Sequence, residues 1–177
     1  MRLWGTRVMV VDDDADSLDV VSEVLGRAGA EVIGVGAPVY ALPTVVFLMP
    51  HVLIVDVVLP GEDGVSLLRR LRGLPADQGG RIPALTLTAV PPTESAREEW
   101  RQAGFQRHVG KPFDPEELIG VVAELSGHVV ERRQRDLPPD QWPPDVPIDR
   151  RAPDGGYQRG RDSSSNSASA EGRPRAK

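Results

Sequence analysis

Apolar positions along this chain follow two alternating rhythms. Arg7–Val11 is β-branched and almost wholly apolar, the pattern of a strand buried on both faces. Acids follow at once, and then Leu18, Val21, Val24, Leu25 and Ala28 recur at helical spacing. Gly29 is a credible stop for that helix, because glycine tolerates the left-handed backbone needed there. Glu31–Val35 reads as a second strand, and Val52–Val55 as a third that ends in Asp56. Gly61–Gly64 is a loop, after which Val65, Leu68 and Leu71 mark a helix with Arg69, Arg70 and Arg72 outside. Ala84–Leu87 is a fourth strand, Thr93–Ala103 a helix with Thr93 as N-cap, and Gln106–Val109 a fifth strand. The last helix has the clearest start: Asp114 as N-cap, Pro115 first in the helix, and Glu117 completing a capping-box pattern. Leu118, Val122 and Leu125 give it an apolar face, and Gly127 ends it.

One stretch is less regular. Ala37–Met49 stands where a helix is needed, yet Pro38 and Pro43 punctuate it and few charges mark a solvent face. A proline costs a helix interior about 3 kcal/mol. The expectation is a short or distorted helix near Tyr40–Leu48.

Strand and helix therefore alternate five times before residue 128. That predicts an α/β domain: a parallel sheet with helices on both faces. Right-handed crossovers leave few ways to wind it. Ligands in such sheets bind beyond the carboxyl ends of the strands, near the switch in strand order.

Composition divides the chain of 177 residues into one domain, 5–127, and a tail, 128–177. The tail is rich in Pro, Arg and Ser, with Pro138-Pro139, Pro143-Pro144 and Gly155-Gly156, and its bias predicts disorder. Charge divides in the same place. Residues 1–127 carry a net of −7 and residues 128–177 a net of +2. An acidic domain repels phosphate backbones, so no nucleic-acid partner is expected. The absence of Cys rules out disulfides and thiolate metal sites. Val8–Val11 is too short for a secretory signal, and the greasy stretch 45–59 is interrupted by Pro50, His51 and Asp56. A soluble, cytoplasmic protein with no membrane partner is expected.

The residues with chemistry lie where strands end. Asp12, Asp13 and Asp14 follow the first strand, Asp56 ends the third, Thr88 follows the fourth and Lys111 the fifth. A parallel sheet brings these ends to one edge. Carboxylates gathered there repel one another unless a cation sits among them. Mg²⁺ suits an incomplete oxygen cage, because it takes one or two carboxylates, keeps waters and leaves room for phosphate oxygens. Lys111 adds a compact point charge and Thr88 a hydroxyl donor. A carboxylate nucleophile, a metal, an ammonium and a hydroxyl are what phosphoryl transfer requires. Apart from the final Lys177, Lys111 is the sole lysine in an otherwise arginine-based chain.

These pieces resemble the receiver domain of two-component response regulators. The matching runs are Val10-Val11-Asp12-Asp13, Asp56-Val57-Val58-Leu59-Pro60-Gly61-Glu62-Asp63-Gly64, Leu87-Thr88-Ala89 and Lys111-Pro112-Phe113. Four weak motifs in order and at the right spacing make a strong one, and the similarity looks closest to receivers attached to hybrid histidine kinases. The resemblance implies a flavodoxin-like five-stranded parallel sheet of order 2-1-3-4-5. It implies that Asp56 accepts a phosphoryl group from a sensor histidine kinase or phosphotransfer protein. It also implies that Asp12, Asp13, Asp56 and the Val58 carbonyl hold Mg²⁺. Lys111 would contact the phosphoryl group, and Thr88 would swing toward it as part of a switch. Signalling would then run through contacts with a downstream protein at the fourth helix, fifth strand and last helix. "Enzyme" applies only in the sense that the domain catalyses its own phosphorylation and dephosphorylation.

Departures from the family pattern matter. The aromatic switch position is His108, Pro91-Pro92 stiffen the loop after Thr88, and the two lifetime-tuning positions are Val58 and Val90, both apolar. They leave a second reading, a pseudo-receiver that acts as an unphosphorylated interaction module. A haloacid-dehalogenase-type phosphatase needs Asp-x-Asp-x-Thr after its first strand. Here Asp12-x-Asp14 leads to Asp16, and no cap domain is available. His51, His108 and His128 lack a metal-binding spacing.

Overall fold

The computed structural model describes residues 2–127 and 148–149. Its elements run β1 (Arg7–Val11), α1 (Ala15–Arg27), β2 (Glu31–Val35), α2 (Ala41–Leu48), β3 (Val52–Val55) and α3 (Gly64–Arg72). They continue with β4 (Ala84–Thr88), α4 (Glu94–Ala103), β5 (Arg107–Gly110), α5 (Pro115–Ser126) and β6 (Ile148–Asp149). The sheet order is β5-β4-β3-β1-β2-β6. The first five strands are parallel, in the expected order 2-1-3-4-5, and the two-residue β6 pairs antiparallel with β2. The predicted disorder of 128–177 lies outside the described residues, apart from the two residues of β6.

Period-two alternation sorts the strand residues between two cores. Val8, Val10, Val52, Ile54, Leu85 and Leu87 face α1 and α5, meeting Leu18, Val21, Leu25, Leu118 and Val122. Met9, Val11, Leu53, Val55 and Ala84 face the other way, onto α2, α3 and α4. Both faces of the central strands are thus covered, which is why β1 and β3 read as unbroken apolar runs.

Helix ends follow their local chemistry. Asp14, Asp63, Thr93 and Asp114 are N-caps, each accepting an amide hydrogen bond from the first turn. At α5 the bond comes from the Glu116 amide at 2.7 Å, one residue earlier than in a capping box. Gly29 follows α1 with φ +101°, and a side chain there would strike the Trp4 ring at 2.8 Å.

The irregular segment resolves into a 3-10 turn, Pro38–Tyr40, leading straight into α2. Pro43 is the third residue of α2, where amides have no intrahelical acceptor to lose. Met49 closes the helix with φ 47°, a left-handed conformation costing a residue with a side chain about 1 kcal/mol. Residues 32–55 contain no Asp, Glu, Lys or Arg.

Arg72 corrects one expectation. It does not lie on the outer face with Arg69 and Arg70. Its half-buried guanidinium donates to the carbonyls of Gly80, Ile82 and Gly104 at 3.2, 2.8 and 2.9 Å. It ties the end of α3 to the segments entering β4 and β5. His51 is likewise structural: its Nδ1 accepts the Arg7 amide at 2.8 Å.

Candidate functional site

The sheet's hydrogen bonding runs one residue past β1, β3 and β5, and that extension seats the site. Asp12 donates its amide to the Val35 carbonyl, Asp56 to Val11 and Lys111 to Thr88, at 3.2, 2.9 and 2.8 Å. Each backbone is therefore fixed by the neighbouring strand, and Asp12, Asp56, Thr88 and Lys111 share the carboxyl edge of the sheet. Asp12 and Asp56 are buried, at 2% and 8% exposure.

The side chains converge further. Lys111 Nζ donates to Asp12 Oδ2 at 2.5 Å and to Asp56 Oδ2 at 2.7 Å. Asp12 Oδ2 also accepts the Ser17 hydroxyl at 2.6 Å, and Asp12 Oδ1 accepts the Asp14 amide at 3.0 Å. Asp56 Oδ1 accepts the Val58 amide at 3.0 Å. Burial pulls the Lys111 pKa down, but its hydrogen bonds to Asp12 and then Asp56 outweigh that and hold it above the ordinary lysine value. The ammonium is thus fixed as a cation between two carboxylates.

Behind Asp56 the backbone leaves no space. A side chain at Gly64 would put its first carbon 2.0 Å from the Asp56 carbonyl oxygen. Gly64 also donates its amide to the Val57 carbonyl at 3.0 Å. The start of α3 is therefore pressed against the Asp56 peptide, as only glycine permits.

The family model for the response regulator receiver domain matches residues 8–123. The chain belongs to this receiver family. The receiver is 34% identical over 122 residues to the DNA-binding response regulator MtrA of Mycobacterium tuberculosis, covering 69% of this chain. It spans about half of MtrA's own length, 51%. A crystal structure from Chloroflexus aurantiacus, proposed to be a response regulator, superposes with a TM-score of 0.63 at 34% identity. That match covers 69% of this chain and 98% of the other. The receiver domain of sensor histidine kinase PA1611 from Pseudomonas aeruginosa gives 0.62 at 28%, covering 70% and 98%; its structure has a magnesium ion coordinated in the active-site cleft. Kinase-attached receivers are thus among the relatives, alongside response regulators of higher identity.

Within this receiver, the remaining predicted residues separate. Asp13 is exposed beside Asp12. No group of three or more His, Asp or Glu that could hold a metal ion is gathered among the described residues. Val58 and Val90 are exposed at the rim, at 60% and 50%. Thr88 is buried, and its hydroxyl accepts a long 3.4 Å bond from the Val90 amide.

His108 pairs with Thr86. Its Nδ1 shares a 2.8 Å hydrogen bond with Thr86 Oγ1, the cross-strand neighbour on β4. Its ring leans on Trp100, with centroids 5.2 Å apart and planes at 50°. Burial first, and the charge of Arg97 second, push its pKa below the ordinary histidine value against the opposing pull of Glu117.

Sequence reasoning missed Ser17 and Thr86. Ser17 lies five residues beyond Asp12, in the first turn of α1, a short polar residue whose position was visible. Thr86 lies two before Thr88, on the same side of β4. No helix among the described residues is long and apolar enough to cross a membrane.

Proposed function

We propose that this receiver accepts a phosphoryl group on Asp56 from a phospho-histidine donor in a two-component phosphorelay. The observation that carries the reading is the Lys111 ammonium bridging Asp12 and Asp56 at 2.5 and 2.7 Å. One cation and two buried carboxylates leave an acidic surplus, to which exposed Asp13 adds. That surplus fits a divalent ion, and Mg²⁺ needs only one or two protein carboxylates. Asp12 and Asp56 would hold it, with Asp13 and the Val58 carbonyl as the further oxygens that the family resemblance implies. When bound, Mg²⁺ supplies positive charge against the phosphoryl oxygens.

The chain's own residues perform the rest. Asp56 Oδ2 forms the bond to phosphorus as the donor's P–N bond breaks. The electron pair stays on the imidazole nitrogen, which then takes a proton. Lys111 is placed to leave Asp56 Oδ2 and meet a phosphoryl oxygen with the same ammonium. Asp56 Oδ1 stays anchored by the Val58 amide, so the nucleophile keeps its direction.

A groove leads to this point. Asp16, Ser17, Val20, Val24, Phe113 and Pro115 line an open cavity of about 320 Å³ that reaches Lys111. A sensor kinase or phosphotransfer protein seated on that apolar floor would present its phospho-histidine to Asp56. A cytoplasmic location and signalling to a downstream protein, without nucleic-acid contact, complete the proposal.

A second reading, an unphosphorylated interaction module, is favoured by two observations: Lys111 already pairs with both buried acids, and no three-acid metal group is assembled among the described residues. One experiment decides between them. The protein is incubated with acetyl phosphate, with and without Mg²⁺, and with Asp56→Asn as control. Mg²⁺-dependent, base-labile labelling at Asp56 supports phosphotransfer. No labelling at millimolar Mg²⁺, from folded protein, supports the module.

A further inference from the structure

The two edges of the sheet are protected differently. β5 carries Arg107, which forms an ion pair with Glu124 of α5. Charge of that kind discourages a foreign strand from adding to an edge. β2 carries only Glu31, at its start, and its remaining residues Val32–Val35 bear no charge. It also lacks proline. Edges of this sort are closed in native proteins by a covering segment.

Backbone direction shows which groups need closing. The Glu31 amide binds the Thr6 carbonyl, and the Val35 carbonyl accepts from Asp12. Odd-numbered residues of β2 therefore turn their backbone groups toward β1. Val32 and Gly34 turn theirs to the outer edge, because successive residues alternate. Asp149 stands opposite Gly34 and Ile148 opposite Val35, in antiparallel register. The strand partner thus meets the one outward-facing position at the site end of β2.

We propose that the outer edge of β2 at Gly34–Val35 is a strand-docking site, and that its occupant is this chain's own segment Ile148–Asp149. Main-chain pairing supplies the attachment, as in strand addition. The chain length between α5 and β6 suffices, since twenty residues can reach at most about 70 Å at 3.3–3.6 Å per residue. A two-residue ladder is weak, so the strap is detachable. It sits beside the Val35 carbonyl that holds the Asp12 amide, and so braces the strand end carrying the acidic loop.

Amide hydrogen exchange on the full chain tests this, with Ile33 as the internal control because its amide faces β1. Asp149→Pro removes the donor opposite Gly34, whereas Asp149→Ala keeps it. The expected result is Gly34 exchange at least tenfold faster in Asp149→Pro, with Ile33 unchanged and Asp149→Ala resembling the native chain. Protection of Gly34 should also be independent of protein concentration between about 10 and 500 μM. Equal Gly34 exchange in the native chain and Asp149→Pro overturns the proposal. Concentration-dependent protection overturns it too, since the occupant would then be a second copy.

Discussion

Lys111 Nζ lies 2.7 Å from Asp56 Oδ2, and the same nitrogen holds Asp12. Side chains from the ends of β1, β3 and β5 thus meet in one contact, largely shielded from water. Lysine suits it because an ammonium is a compact charge that can serve two acceptors and move between them, where a guanidinium fork is more constrained.

Lys111→Met leaves two buried carboxylates facing each other. The expected outcome is a loss of about 2 kcal/mol of stability in metal-free buffer, below the full range for a broken buried pair because the site touches solvent. Adding Mg²⁺ should recover part of that loss. Labelling of Asp56 by acetyl phosphate should fall at least tenfold. Urea denaturation with and without Mg²⁺, beside a labelling time course, measures all three.

Gly64→Ala forces a carbon into the Asp56 carbonyl. The start of α3 must move away, costing about 2–3 kcal/mol as overpacking. Because the displaced atom belongs to the Asp56 peptide, labelling should slow as stability falls. Parallel melting curves and labelling rates would expose the error if Gly64→Ala matched the native protein in both.

Arg72→Leu separates stability from chemistry. It removes three carbonyl contacts at the pole of the sheet opposite the acids. A loss of about 2 kcal/mol is expected, in the range for bonds to a charged donor. The labelling rate at a temperature where the variant stays folded should remain within twofold of native.

His108 gives the domain a mild acid sensitivity. Its folded pKa lies below the ordinary 6.5, through burial and then Arg97. The unfolded chain therefore binds the proton more readily. Its contribution to stability is full above pH 6.5 and is lost as pH falls through the folded value. His108→Phe should flatten that part of the stability–pH curve, and an NMR titration of the native ring should give a midpoint below 6.5.

How much of this was legible beforehand depended on the range of the interaction. Strand and helix boundaries followed from spacing, and Asp12, Asp56, Thr88 and Lys111 from their places at strand ends. Their convergence follows from parallel topology alone. Thr86 was not legible as the partner of His108, because that pair depends on the β4–β5 register. Arg72 was misread by chemistry rather than by spacing: it lies four residues after Leu68 and seven after Val65, on the apolar stripe. A charged residue there is held by loop carbonyls that no local pattern encodes. The pairing of β6 with β2 joins segments more than a hundred residues apart, and two residues carry no rhythm to read.

The uncharged run from Val32 to Val55 has a consequence for biosynthesis. It holds β2, the apolar helix α2 and the central strand β3, yet no Asp, Glu, Lys or Arg that would keep two nascent copies apart. Glu31 and Asp56 stand at its borders as the only gatekeepers. Until β4 leaves the ribosome to shield β3, this run is the part of the chain most exposed to self-association, and substitutions that add a charge at exposed Val39 or Val46 should raise soluble yield.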